Sequence, residues 1–284
     1  MRERMITVVF GITLLVIVLL FYTTILFNIA IAAVAVLAVI EIYSSTVKGK
    51  STGFFVISLA FAAAVPFLSY LKFQNSAVVA GFVFMLALFL YMLYGHRKLP
   101  LSQMATTAFM ELLVLISMGS FIAIRDTFKS SGRLADVGLF YIALVFATAW
   151  MTDVGGYLFG RLFGRHKMSP QISPKKTVEG AVGGVLLSVI SAVLLLYIYS
   201  MYLSFAGVHA SYNYAAVILL TLVCALLSIA GDLTASLLKR ENGIKDFGNI
   251  LPGHGGILDR FDSILFVSPL ICFWITTFPL VKLY

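Results

Sequence analysis

Long apolar runs separated by short polar breaks make up most of this chain. A helix rises 1.5 Å per residue, so roughly 20 apolar residues cross the hydrocarbon core of a bilayer. Nine stretches approach or exceed that length, at roughly 5–22, 25–44, 53–71, 76–95, 104–124, 137–160, 179–204, 211–238 and 261–282. The pattern predicts an all-α, polytopic integral membrane protein with about nine transmembrane helices. Only Tyr22-Thr23-Thr24 separates the first two runs, which makes theirs the weakest boundary. Arg2 and Arg4 precede the first run as in a signal peptide, but no small-residue cleavage site follows and the run is long, so it reads as an anchor. No internal repeat or low-complexity segment interrupts the series.

Composition removes the alternatives. Of the 284 residues, 61% are hydrophobic and 11% charged, against about 45–50% and about 25% in soluble domains. A single globular core cannot hide that much apolar surface, and disorder is excluded for the same reason. The two cysteines, Cys224 and Cys272, lie within apolar runs and read as packing residues, so they exclude a disulfide scaffold and say little about redox compartment. The formal charge of +8 would suggest nucleic acid in a soluble protein. Here the basic residues flank apolar runs, which points to topology and anionic headgroups, and no nucleic-acid partner is expected.

With the N-terminus inside, 15 of the 20 basic residues fall on the inner side: Arg2, Arg4, Lys48, Lys50, Arg97, Lys98, Arg161, Arg165, Lys167, Lys175, Lys176, Lys239, Arg240, Lys245 and Arg260. Lys72, Arg125, Lys129, Arg133 and Lys282 fall outside. The bias predicts a cytoplasmic N-terminus and an outward C-terminus, with 125–136 as the segment that argues the other way. Two long cytoplasmic loops result, 161–178 and 239–260, and polar chemistry is dense only there. Residues 1–130 therefore read as helices without a diagnostic motif, where Glu41, Glu111 and Asp126 are scattered at spacings that build no site. Residues 131–284 read as the region that carries both motif loops.

Seven of the 12 acidic residues lie after position 150: Asp153, Glu179, Asp232, Glu241, Asp246, Asp259 and Asp262. Asp153 and Asp232 fall inside the sixth and eighth runs, about two turns from their cytoplasmic ends. A carboxylate there costs several kcal/mol unless it is paired, protonated or facing a wet cavity. An interhelical ion pair or a snorkelling side chain is the plain reading of one such residue; two beside the polar loops shift the balance toward a site. Asp232, Ser236 and Lys239 share one helical face, as do Asp153, Tyr157 and Arg161. Gly156, Gly160 and Gly164 repeat every four residues, the spacing that lets a neighbouring helix approach closely.

The first loop reads Ser173-Pro174-Lys175-Lys176-Thr177-Val178-Glu179-Gly180. Thr177 reads as an N-cap, and two lysines beside a helix N-terminus form an anion trap, with a positive-inside loop against lipid headgroups as the alternative. The Walker spacing is absent, and so is a dinucleotide fingerprint. The second segment holds Ser236, Lys239-Arg240, Lys245-Asp246, Pro252-Gly253-His254-Gly255-Gly256 and Asp259-Arg260-Phe261-Asp262. Its aspartates, with Asp232, are oxygen ligands suited to a hard cation such as Mg²⁺. Zinc is disfavoured, because His254 is alone and neither cysteine is near. Cations beside a carboxylate–metal cluster are what phosphoryl or nucleotidyl transfer requires.

The stretch from Ser236 to Asp262, 27 of 284 residues, resembles the signature of the phosphatidate cytidylyltransferases, or CDP-diacylglycerol synthases. It carries the serine, the Lys-Arg pair, Lys-Asp, the Pro-x-His-Gly-Gly turn and the closing Asp-Arg-hydrophobic-Asp. The Ser173–Gly180 stretch and the Asp153…Tyr157…Gly160-Arg161 stretch also resemble recurrent segments of that family. The resemblance implies a multi-pass enzyme of the cell's inner (plasma) membrane, with a cytoplasm-facing site, that joins CTP to phosphatidic acid and releases pyrophosphate. Mg²⁺, together with a monovalent cation such as K⁺ in some accounts, is the implied cofactor. CTP, phosphatidic acid, membrane lipids and a second copy of the chain are the partners it admits. Asp232, Asp246, Asp259 and Asp153 are then the expected metal ligands, and Lys239, Arg240, Lys245, His254 and Arg260 the expected catalytic residues. Arg161, Ser173, Lys175, Lys176, Thr177, Glu179, Ser236, Gly255 and Gly256 are expected to bind substrate. The rival readings are the same transfer to another lipid phosphate, such as an ether lipid, a CTP-dependent polyprenol kinase, and a cation-coupled transporter.

Overall fold

The computed structural model describes residues 2–47, 51–71, 76–95, 100–129, 135–251, 253 and 255–284. Of the residues used above, Lys48, Lys50, Lys72, Arg97, Lys98, Arg133, Pro252 and His254 lie outside the described residues.

The apolar runs form helices. In chain order these are α1 (Arg2–Leu20), α2 (Ile25–Thr46), α3 (Thr52–Ala64), α4 (Ser76–Gly95), α5 (Leu101–Lys129), α6 (Ala135–Phe163), α7 (Val178–Phe205), α8 (Tyr214–Glu241), the single turn α9 (Leu258–Phe261) and α10 (Ile264–Thr277). Four short strands complete the described structure: β1 (Lys167–Ser169), β2 (Ser173–Thr177), β3 (Ala210–Tyr212) and β4 (Val281–Leu283). The polar break at 22–24 is a true boundary, because the Thr24 hydroxyl accepts from the Leu26 N–H at 3.2 Å and caps α2. Among the described residues, six apolar segments are long enough to cross a membrane: Ile25–Thr46, Thr52–Tyr70, Leu101–Phe128, Val137–Phe163, Val178–Phe205 and Tyr214–Glu241. Among the described residues, Val9–Leu20, Val78–Tyr94 and Ile264–Thr277 are shorter apolar helices. The architecture is that of an all-α, polytopic membrane protein.

Proline accounts for two departures from the expected runs. The third run stays α-helical only to Ala64 and continues as a 3₁₀ turn, Val65–Leu71, around Pro66, which has no N–H to give an α-helical ladder. The ninth run, expected at 261–282, is helical only over Ile264–Thr277. Phe278, just before Pro279, leaves the helical region at φ −129°, ψ 84°, as steric contact with a following proline requires. The chain then forms β4, which pairs antiparallel with β3 as Ala210↔Leu283 and Tyr212↔Val281.

The chain divides into two compact units. The first comprises Met1–Ala123 with Lys239–Phe261, and the second Ile124–Leu238 with Asp262–Tyr284. Lys239–Phe261 of the second motif segment therefore groups with the N-terminal helices, while its end residues Ser236 and Asp262 belong to the second unit. In the first unit, Phe27, Ile31, Ala35, Val39 and Ile42 bury one stripe of α2, and Phe54, Phe84, Leu88, Met110, Val114 and Met118 complete the core. Two buried polar contacts cross between its helices: Thr46 with Thr107 at 2.6 Å, and the Ser58 hydroxyl donating to Glu111 Oε2 at 2.6 Å.

In the second unit, α6 and α7 pack along their glycines. A Cβ added at Gly180 would stand 2.6 Å from the Gly156 carbonyl oxygen, and one at Gly184 2.5 Å from that of Thr152. Only glycine at 180 and 184 permits that separation; of the repeat expected on α6, Gly160 is close, with an added Cβ 3.0 Å from Thr177 Oγ1, while Gly156 makes ordinary contact. Gly184→Ala is expected to destabilise the detergent-solubilised protein by about 1–3 kcal/mol through backbone overpacking. Gly11→Ala, whose Cβ meets nothing within 4 Å, is expected to leave it unchanged in the same thermal-unfolding measurement.

Candidate active site

Each unit carries one group of motif residues. In the first unit the group starts at the C-terminal end of α8. Gly243, at φ +69°, ends the helix: Ile244 N–H reaches the Lys239 carbonyl at 2.9 Å and Gly243 N–H that of Arg240 at 3.0 Å. This double bond pattern is a Schellman cap, and glycine is what its left-handed residue favours. The cap turns the chain sharply and leaves Lys239, in the last helical turn, beneath the following loop.

Asp259 organises that loop. Its Oδ1 accepts from Lys239 Nζ at 2.7 Å, while Oδ2 accepts from the Phe247 N–H at 2.9 Å and the Gly256 N–H at 3.0 Å. Both partners of the ion pair are largely buried, with side chains 11% and 4% exposed. The charge is therefore matched where water cannot match it. The Lys239 ammonium also stands 5.2 Å from the centre of the buried Phe247 ring. Leu251 and Gly255 bridge to close a turn, with Gly255 at φ +80°. A Cβ on Gly255 would stand 3.0 Å from Asp259 Oδ2 and 3.3 Å from Asp246 Cβ, so the two aspartates flank this glycine. Lys245, Asp246 and Arg260 are exposed, and so is Arg240, whose guanidinium lies 3.5 Å from the Ile244 carbonyl.

Glu41 of α2 lies beneath the same loop. Its two oxygens accept from the consecutive N–H groups of Ile257 and Leu258, at 2.9 and 2.8 Å. Spacing along the sequence gave no warning of this, because the partners lie more than 200 residues away. The available signal was the carboxylate itself, set in an otherwise apolar run.

The second unit holds the other group. β1 and β2 form a hairpin after α6. Thr177 at its end caps α7, accepting from the Gly180 N–H at 3.1 Å, as its position ahead of Glu179 and Gly180 led us to expect. Glu179 accepts from the N–H groups of Arg165 and His166 at 3.1 and 3.2 Å and meets His166 Nδ1 at 2.6 Å, fastening the root of the hairpin. Lys176 pairs with Asp232 of α8, and Ser236, one turn on, donates to the same carboxylate at 3.3 Å. Ser173 is half-buried and Lys175 exposed on β2. On α6, Arg161 donates to the Tyr157 hydroxyl at 3.4 Å, across the shared face. Asp153 accepts from the Ser263 hydroxyl at 2.8 Å, and Asp262 from the Ser263 N–H at 2.8 Å. Ser263, which the motif reading passed over, thus joins two carboxylates.

The donor set is carboxylate oxygen and hydroxyl, which suits a hard cation. Within neither unit do the described residues gather three or more His, Cys, Asp or Glu side chains at metal-binding distance.

These features describe a polytopic membrane protein whose two motif segments are tied to carboxylates of its apolar helices, Glu41 of α2 in one and Asp232 of α8 in the other. The chain belongs to the cytidylyltransferase family, whose model matches residues 2–278. It is 46% identical over 134 residues to a phosphatidate cytidylyltransferase of Staphylococcus haemolyticus, covering 47% of this chain and 48% of that protein. Phosphatidate cytidylyltransferases of Staphylococcus saprophyticus, over 136 residues, and Staphylococcus aureus, over 134, are each 47% identical, with the same shares covered. The chain spans about half the length of the curated relatives it matches.

Removing Lys239 from the buried pair leaves the Asp259 charge without its counter-ion, at a cost of about 3–5 kcal/mol. Lys239→Met should therefore lower the unfolding temperature markedly. Adding Asp259→Asn should recover part of that loss, since the amide oxygen still accepts from the Phe247 and Gly256 N–H groups while the stranded charge is gone. Thermal denaturation of the two variants in detergent measures this.

Proposed function

We propose that the protein transfers CMP from CTP to phosphatidic acid, giving CDP-diacylglycerol and pyrophosphate for phospholipid synthesis. It would do so in the bacterial plasma membrane, with its site on the cytoplasmic side. The observation that carries this reading is the signature loop: a turn fixed by the Lys239–Asp259 pair, with Arg240, Lys245, Asp246 and Arg260 all exposed along the same segment. Membership of the cytidylyltransferase family and the names of the staphylococcal relatives support it.

In the proposed reaction a phosphate oxygen of phosphatidic acid attacks the α-phosphorus of CTP in line. The bond from that phosphorus to the bridging oxygen breaks, and pyrophosphate leaves. The nucleophile is already an anion, so no strong general base is needed, and catalysis consists of positioning and charge neutralisation. Lys175 and Lys176 of the hairpin are proposed to bind phosphate oxygens and so, separately, are Arg240 and Arg260 of the signature segment, whereas Lys239 is committed to Asp259. Ser173, Thr177 and the Gly255-Gly256 backbone would add hydrogen bonds. Of the expected metal ligands, Asp246 and Asp259 of the signature loop and, separately, Asp153 and Asp232 of the second unit are each proposed to offer oxygens to Mg²⁺, which when bound would supply charge neutralisation at the phosphates. Asp246, exposed on the loop, is the carboxylate of that set most readily offered to a cation, whereas Asp259 already accepts three protein donors.

The test is incubation of the detergent-purified chain with CTP, Mg²⁺ and phosphatidic acid. CDP-lipid and pyrophosphate are expected in equal amounts; no CDP-lipid here, with CDP and a phosphorylated polyprenol formed when a polyprenol replaces phosphatidic acid, would overturn the reading in favour of a kinase. Asp246→Asn should retain expression and membrane insertion yet lose about two decades or more of turnover, the scale of losing a metal-binding charge.

A further inference from the structure

Glu41 is buried, at 2% exposed, on a helix far in sequence from every motif residue. An ionised side chain in that setting needs partners, and it finds them entirely in the signature loop. Oε1 accepts from Ile257 N–H and Oε2 from Leu258 N–H. Cβ atoms added at Gly248 and Gly256 would stand 2.6 and 2.5 Å from its oxygens, so the loop backbone closes around the carboxyl group from two sides. The Gly256 N–H, next along the chain from those Glu41 fixes, is one of the donors to Asp259. Asp259 in turn holds Phe247 N–H and Lys239.

We propose that Glu41 is a positioning residue for the signature loop: a peg from α2 that sets the path of 256–258 and, through it, the placement of Asp259, Lys239 and Asp246. It acts through the loop and touches no reacting atom. The assignment rests on the proposed cytidylyl transfer only for its kinetic consequence; the loop's order is an independent property.

Hydrogen exchange on the full-length, detergent-solubilised protein tests it. Glu41→Gln replaces one acceptor with an NH₂ group facing a backbone N–H. Exchange in peptides covering 245–260 should then rise about tenfold or more, while peptides from α3 and α5 keep wild-type protection. In the CTP assay, normalised to folded protein, kcat/KM for CTP should fall about tenfold or more. Unchanged exchange in the loop, or an equal rise throughout α2, α3 and α5, would overturn the proposal. Glu41→Asp, which keeps both acceptor oxygens at shorter reach, should fall between wild type and Glu41→Gln in loop protection. If it protects the loop less than Glu41→Gln does, filling of space rather than the carboxylate sets the loop, and the proposal fails. A wild-type protein that makes no CDP-lipid would defeat the assigned reaction and leave the exchange result to decide the role of Glu41.

Discussion

Buried carboxylates that must find hydrogen-bond donors set the form of the signature loop. A loop at the edge of a membrane protein has few apolar side chains to anchor it, and its backbone N–H groups need acceptors. Here two carboxylates supply four of those acceptor contacts: Asp259 to Phe247 and Gly256, and Glu41 to Ile257 and Leu258. Lys239 balances one of the charges. The glycines fit around this scheme. Gly255 takes a left-handed conformation between Asp246 and Asp259, and Gly248 and Gly256 leave room for the Glu41 carboxyl group. A loop held in this way presents Arg240, Lys245, Asp246 and Arg260 from a defined backbone rather than from a mobile strand of charge.

The hairpin of the second unit obeys the same logic with different parts. Glu179 lies in the first turn of α7, where a negative charge is favoured by the helix end, and it spends its oxygens on Arg165 and His166. Thr177 closes the same end. Lys176 is then directed back to Asp232, so a lysine on the strand and an acid on the helix match each other's charge. Close approach of α6 and α7 through Gly155, Gly180 and Gly184 brings these residues to one end of the helix pair.

Much of the architecture was legible in the amino-acid order, because periodic burial over 20 or more residues is a strong signal. The helix boundary at Thr177 followed from cap chemistry, whereas that at Thr24, the weakest in the hydropathy pattern, is fixed by a cap the structure shows. The shortened tenth helix was missed because hydropathy does not register the steric effect of Pro279 on Phe278, and strands as short as Val281–Leu283 carry no pattern of their own. The motif residues of both segments could be named in advance, and their local partners, such as Ser236 with Asp232 and Arg161 with Tyr157, lay at helical spacings. Glu41 and Ser263 could not be placed that way. Their partners are remote in sequence, and only tertiary packing reveals them.

The interleaving of the two units along the chain has a consequence for biogenesis. Glu41 is inserted early, yet the N–H groups that match it belong to residues more than 200 positions later, after all of Ile124–Leu238 has been made. The first-made helices must therefore wait, with an acid unmatched, while the intervening segment is synthesised. Elongation at about 5–20 residues per second makes that delay at least about ten seconds, an interval in which this carboxylate depends on water, a proton or the insertion machinery to tolerate it.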